Sequence, residues 1–158
     1  MLALSHQVGV ISDTHGLLRP EAVAALTGSD VIIHAGDIGS LAVLEGLRSI
    51  APVVAIRGNI DTGAWAATLR TSEAVEVGDA TLYVLHDLGE LDLDPAHAGF
   101  QAVIAGHSHR PAIDRRNGAL YINPGSAGPR RFSLPITVAR LEVVGAEITG
   151  RIIDLCVA

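Results

Sequence analysis

Cysteine is nearly missing from this chain: Cys156 is the single one among 158 residues. No intrachain disulfide can form, so the sequence fits a reducing compartment and relies on burial for its stability. Cys156 itself reads as a small apolar filler near the chain end. Aromatic residues are scarce too, at 3%, which leaves little material for a base-stacking surface. There is no basic block, and the formal net charge is −6, so specific nucleic-acid binding is not expected. No apolar run approaches the ~20 residues of a membrane span. The start, Met1 to Gln7, lacks the basic flank and apolar stretch of a signal peptide. A cytoplasmic protein without membrane attachment is expected. Neither a P-loop nor a GxGxxG string occurs, which removes two routes to nucleotide binding.

Aliphatic mass is what the chain does have. Ala, Val, Leu and Ile carry most of a 49% hydrophobic share. At this length that suits one domain, residues 1–158, with its own core. The surplus also leaves room for a homo-oligomeric interface.

The apolar residues alternate between two patterns. Short runs at Gln7–Ser12, Val31–Ala35, Val53–Arg57, Thr81–Leu85 and Ala102–Ala105 read as buried strands ended by turn signals. Pro20–Thr27 and Leu41–Ser49 read as helices, the first with Pro20 at N1 and Gly28 as a stop. In the second, Leu41, Leu44 and Leu47 mark a buried face. Pro95–Ala98 is expected to be a third helical piece capped by Asp94. Such alternation predicts βαβ crossovers and a mainly parallel sheet. Pro135–Val144 and Glu147–Leu155 are expected to form an antiparallel hairpin around Gly145-Ala146. Residues 62–79 give only weak signals.

Oxygen and imidazole donors stand at the ends of these runs. Asp13 and His15 follow the first strand, Asp37 the second, Asn59 the third, His86 the fourth, and His107 and His109 the fifth. Asp13 and His15, two apart, share a side in extended backbone, and His107 and His109 repeat that spacing. Gly36 allows close backbone approach beside Asp37. In a parallel sheet all these ends lie along one edge, where α/β proteins place their sites. Any one Asp or His there is more often a cap or a satisfied polar group. Four of the seven histidines collected at strand ends, with two carboxylates and an amide, is a different pattern. It suits a pair of borderline divalent cations. His34, inside a strand, reads as a core histidine close enough to Asp37 to support it; His97 is given no role.

In this order the strings Asp13-Thr14-His15-Gly16, His34-Ala35-Gly36-Asp37, Gly58-Asn59, His86, Gly106-His107-Ser108-His109 and Asn123-Pro124-Gly125-Ser126 resemble the calcineurin-like metallophosphoesterases. The likeness is to their small single-domain bacterial and archaeal phosphodiesterases and runs from about residue 8 to residue 131. It implies an α/β fold, a four-layer αββα sandwich with two facing mixed β-sheets, the C-terminal hairpin belonging to the second sheet. It implies one metal on Asp13, His15, Asp37 and His109, and another on Asp37, Asn59, His86 and His107, with Asp37 bridging. Mn is expected, with Ni, Fe or Zn as alternatives. The implied activity is hydrolysis of a small phosphate ester, a phosphodiester before a monoester, by hydroxide shared between the metals. Asn59, His86 and His107 are the catalytic candidates, and Arg57 is a candidate for binding substrate. A non-catalytic interaction scaffold on the same fold is the alternative.

Two positions depart from the larger relatives. Ile60-Asp61 stands where those have a histidine that assists the leaving group, so no leaving-group acid is assigned. Asp61 is left between orienting a neighbour and capping a turn. Asp87 follows His86 where relatives often have glycine, adding negative charge near the site.

Overall fold

The computed structural model describes residues 4–158; the first three residues of the segment read against signal-peptide character lie outside it. Among the described residues ten strands form two five-stranded sheets, with two α-helices. The first sheet is built from β1 (Ser5–Ile11), β2 (Val31–His34), β3 (Val53–Ala55), β9 (Thr137–Val144) and β10 (Glu147–Asp154), in the order β10-β9-β1-β2-β3. The second comprises β4 (Ser72–Val77), β5 (Ala80–Leu85), β6 (Ala102–Ile104), β7 (Ala112–Arg116) and β8 (Ala119–Asn123), in the order β4-β5-β6-β8-β7. Both are mixed. β1, β2 and β3 run parallel, as do β5, β6 and β8, and antiparallel hairpins extend each set.

The helices α1 (Pro20–Leu26) and α2 (Leu41–Arg48) are the crossovers of the first sheet. Pro20 opens α1, where its missing N–H costs nothing. In α2 the face turned inward is Val43, Leu44 and Leu47, whereas Leu41, expected on that face, is exposed. These side chains pack with Leu26, Ile32 and Ile11 on the outside of the first sheet. Between the sheets lies the main core, where Val10, Ile33, Ile56 and Leu141 meet Leu82, Ile104 and Ile122. Outside the second sheet the cover is thin: Leu88 and Leu91, at a 3-10 turn over Leu88–Glu90, pack on Leu85, Val103 and Ala105.

Four expectations change here. The C-terminal hairpin joins the first sheet, because β9 takes the free edge of β1 in an antiparallel ladder and buries Val138, Leu141 and Val143. Pro95–Ala98 is a hydrogen-bonded turn, with Ala98 N–H donating to Asp94 at 2.9 Å and Gly99 at φ +89° ending it before a helix can propagate. Cys156 is exposed, so it fills nothing in the core. The donor-bearing strand ends come from two sheets, β1–β3 of one and β5–β6 of the other, brought together because the sheets face each other. Among the described residues no helix is long and apolar enough to cross a membrane.

Candidate metal centre

Strand ends place the donors, but the backbone that aims them is not extended. Asp13, His15, Asp37, His107 and His109 all have positive φ, between 47° and 69°. That left-handed region costs most L-residues roughly 1–2 kcal/mol each. Asp, Asn and His tolerate it best. Asp13 and His15 therefore converge through a left-handed turn, and the same holds for His107 and His109. The expected extended spacing is replaced by this geometry. Tertiary bonds hold the first turn: Asp13 N–H donates to Gly36 O (3.0 Å), His15 N–H to Asp37 O (3.0 Å) and Gly16 N–H to Ile38 O (2.7 Å).

Two groups of candidate ligands result. Asp13, His15 and His109 bring one donor atom each within 4.8 Å of one another, and so do Asp37, His86 and His107. Asp13 is fully buried; its Oδ2 accepts from Ser12 Oγ (2.7 Å) and His107 N–H (3.1 Å). Its Oδ1 points the other way, 3.3 Å from His109 Nε2 and 3.9 Å from both His15 and His86 Nε2. Asp37 divides its oxygens in the same manner. Oδ1 accepts from Ile60 N–H (3.2 Å), while Oδ2 lies 3.2 Å from His86 Nε2 and 3.7 Å from His15 Nε2. One oxygen of Asp37 thus reaches a histidine from each group.

Tautomers follow from the hydrogen bonds. His86 Nδ1 lies 2.7 Å from the Ala35 carbonyl, so that nitrogen carries the proton and Nε2 faces the carboxylates. His34 is the reverse. Gly36 N–H donates to its Nδ1 (3.1 Å), so Nε2–H donates to Thr14 Oγ1 (2.9 Å), whose hydroxyl donates to Ile38 O (2.8 Å). The neutral His34 ring is a satisfied core histidine, as expected, and it ties the Asp13 loop to the Asp37 loop.

Charge follows the same geometry. Burial works against ionised Asp37, but the close approach and charge of His86, the Ile60 N–H and the charge of His15 bring its pKa down to about 2. Burial also opposes charged His86, yet Asp37, the Ala35 carbonyl and Asp13 raise it to about 9. Burial raises Asp13, and burial with the charge of Arg131 lowers His109 despite Asp13. His34 falls to about 3 because it is wholly buried and His86 adds positive charge nearby.

A cation fits this arrangement on an observation independent of residue type. Among the described residues five buried side-chain polar atoms lack a hydrogen-bond partner. Four are Asp13 Oδ1, His15 Nε2, His86 Nε2 and His109 Nδ1, all in these two groups. Such atoms are costly to leave unpaired in a folded core. Collected at one point, two carboxylates and several imidazoles are a nitrogen–oxygen site for a borderline divalent ion.

The remaining candidates lie at the rim. Asn59 is exposed, held beside Asp37 by its neighbours Gly58 and Ile60. Arg57 is half-buried; its backbone N–H donates to Arg70 O, and among the described residues its guanidinium makes no hydrogen bond or ion pair. Arg131 stands closer, lining a cleft of about 310 Å³ with His15 and His109, while Arg130 is spent on the carbonyls of Leu134 and Val157.

Asp61 is settled by its bonds. It is buried, and its carboxylate accepts from Gly58 (2.8 Å), Ile38 (3.1 Å) and Gly39 (2.9 Å) N–H groups. It clamps the Asn59 loop to the Asp37 loop. Asn123 and Ser126 back the site: Asn123 Nδ2 donates to Gly106 O and Ser108 Oγ (3.0 Å each), and Ser126 Oγ donates to Asp13 O (3.1 Å). Sequence reasoning missed Ser12, which fixes the Asp13 carboxylate. Nothing but its place before Asp13 signalled that.

Residues 7–146 match the calcineurin-like phosphoesterase superfamily domain. The chain belongs to that superfamily. It is 36% identical over 149 residues to a probable metallophosphoesterase of Methanocaldococcus jannaschii, covering 86% of this chain and 75% of that protein. Among solved structures, Vacuolar Protein Sorting 29 from Cryptosporidium parvum superposes with a TM-score of 0.82 at 18% identity, over 95% of this chain and 91% of the other. An archaeal phosphodiesterase gives 0.77 at 23% identity, over 93% and 99%. These two likenesses show the fold. The superfamily match makes the chain a phosphoesterase-type hydrolase of a metal-dependent family, with two candidate metal-binding groups.

Proposed function

We propose that this protein is a phosphodiesterase working with two divalent cations, one held by Asp13, His15, Asp37 and His109 and the other by Asp37, Asn59, His86 and His107. The observation carrying this reading is Asp37 Oδ2, within 3.7 Å of His15 and 3.2 Å of His86, which suits a carboxylate shared by two ions. Nitrogen and oxygen donors without thiolate favour Mn, with Ni, Fe or Zn as alternatives. When bound, such cations supply a water of lowered pKa and positive charge against the phosphoryl oxygens.

The chain's own residues do the rest. Asp13 and Asp37 supply negative charge that compensates the cations. The Ala35 carbonyl holds a His86 proton on Nδ1, so Nε2 is the nitrogen that would face a cation. Asn59, exposed at the rim, has an amide free to donate to a phosphoryl oxygen. Exposed His107, whose ring meets that of His86 at 5.2 Å, stands where an ester approaches. Asp61 is consumed by three backbone donors, so it cannot protonate the leaving oxygen. Esters with good leaving groups are favoured accordingly.

The diester preference draws support from Asp87, whose carboxylate lies 3.9 Å from His107 Nε2 and repels a dianionic monoester more than a monoanionic diester. A relative named as a phosphodiesterase points the same way. Phosphomonoester hydrolysis is the second reading, favoured by Arg131 beside His15 and His109. The scaffold reading lacks support because every donor position is filled.

The test is metal analysis of the purified protein, followed by hydrolysis of bis(p-nitrophenyl) phosphate and p-nitrophenyl phosphate with and without chelator. Two bound ions and faster, chelator-sensitive diester cleavage are expected, and Asp37→Ala should abolish both metal binding and turnover. Chelator-insensitive hydrolysis, or an active Asp37→Ala protein, overturns the reading.

A further inference from the structure

Next to His107, among the described residues, the outside of the second sheet has no helix over it, and a cavity of about 200 Å³ opens there. Val103, Ala105 and Tyr121 form its floor, and Leu88 and Ala112 stand at its sides. His107 and Asp87 also line it, and these two residues face each other at the edge of the candidate metal centre. Cavity and centre therefore share a wall. An ester whose phosphoryl group sits at the centre can lay one substituent into the cavity without crossing any other part of the protein.

Its size and chemistry restrict that substituent. Pockets that enclose a whole small ligand run to roughly 300–1,000 Å³, so this one takes a fragment. Away from His107 and Asp87, its polar side chains are engaged. Asn123 Nδ2 is spent on Gly106 O and Ser108 Oγ, and Arg116 Nε donates to Asp114 Oδ2 at 2.7 Å. The Arg116 guanidinium lies 4.8 Å from the centre of the Tyr121 ring, which leaves a flat, charge-compensated wall. Little remains to pay for stripping water from a charged or polyhydroxylated group. An apolar floor beside a planar cation and ring is instead suited to a flat aromatic group.

We propose that this cavity is the subsite for an aromatic substituent of the phosphodiester, so that the substrates are aryl esters rather than simple alkyl ones. This rests on the phosphodiesterase reading above. Methylphosphonate and phenylphosphonate share a phosphoryl head and differ only in the substituent. Titration calorimetry of manganese-loaded protein is expected to show phenylphosphonate binding at least ~10-fold tighter, about 1.4 kcal/mol. Ala112→Phe fills the cavity from an exposed strand position that is itself no candidate ligand. It should abolish the preference and leave methylphosphonate affinity unchanged; Tyr121→Leu, keeping the floor apolar without the flat ring, should reduce it.

A metal-free arm separates the cavity from the metals. By NMR, phenol should shift the resonances of Leu88 and Tyr121 in the wild type and not in Ala112→Phe. Equal phosphonate affinities in the wild type, a preference that survives Ala112→Phe, or no response to phenol overturns the subsite. Phenol binding with no binding of either phosphonate leaves an aromatic pocket and overturns its assignment to an ester, while the phosphodiesterase reading is decided separately by hydrolysis of bis(p-nitrophenyl) phosphate.

Discussion

Gly36 backs directly onto the imidazole of His86: a Cβ at residue 36 would stand 2.7 Å from Nδ1, inside van der Waals contact. Gly36 also has φ +99°, which an L side chain rarely adopts. Gly36→Ala should therefore push the ring away from the Ala35 carbonyl and lower stability by about 2 kcal/mol or more. Urea unfolding checks the second effect. Metal titration checks the first, with affinity expected to fall ~10-fold or more. An unchanged affinity would show that the ring is not held in this way.

Asp61 is the clamp between two ligand-bearing loops. Asp61→Ala leaves the N–H groups of Ile38, Gly39 and Gly58 without their acceptor. Ile38 and Gly58 are buried, and each unsatisfied buried donor costs about 1–3 kcal/mol, so destabilisation of about 3 kcal/mol is expected, together with loss of bound metal. A variant with wild-type melting temperature and metal stoichiometry would refute the clamp.

Removing the cations should lower the melting temperature, because Asp13 and His86 regain unpartnered buried atoms. Manganese at 100 times its dissociation constant should restore about 2.7 kcal/mol. Asp37→Asn, whose residue type tolerates φ +55°, should keep the loop backbone, lose the pairing with His86 and lose most of the metal-induced gain. A full manganese response in that variant counts against Asp37 as the shared ligand.

Asp87 sets a charge filter. Replacing it by Asn removes one unit of repulsion, worth about 1 kcal/mol per substrate charge at such range in water. The ratio of monoester to diester kcat/KM should rise about fivefold. A ratio that stays fixed would place Asp87 outside the field of the phosphate.

His34 makes the metal-free protein sensitive to acid. Its pKa of about 3 in the folded state lies below the ordinary 6.5 of an unfolded chain. Between those values the unfolded state binds more protons, so the contribution of His34 is fully present above pH 6.5 and is lost as pH falls toward 3. His34→Gln escapes this loss. The stability gap between wild type and variant, measured by urea unfolding in chelator, should shrink from pH 7.5 to pH 5. A gap independent of pH would mean that the ring is not neutral and buried.

Much of the site was legible because its donors follow strand ends, and apolar runs such as VIIHA and TLYVL are visible without a structure. The helices were legible through Pro20 and the spacing of Leu44 and Leu47. The edge strands β4 and β7 were not. Ser72–Val77 and Ala112–Arg116 interleave charged residues and bury little, so hydrophobic pattern alone hides them. One signal was overlooked: Asn117-Gly118, with φ +50° and +87°, is the turn of the β7–β8 hairpin. The sheet assignment of the C-terminal hairpin was invisible for a different reason, since either sheet offered an edge and only packing chose between them. The backbone at the ligands was illegible too, because a two-residue spacing fits an extended strand and a left-handed turn equally well.

The left-handed turns at Asp13, His15, Asp37, His107 and His109 make shape and chemistry separable in one direction only. Asparagine accepts the same backbone as aspartate or histidine, whereas β-branched residues do not. A lineage carrying this fold can therefore surrender its reactive groups one conservative exchange at a time and keep every loop where it is. The frame would outlast the reaction, leaving a stable surface open to some other use.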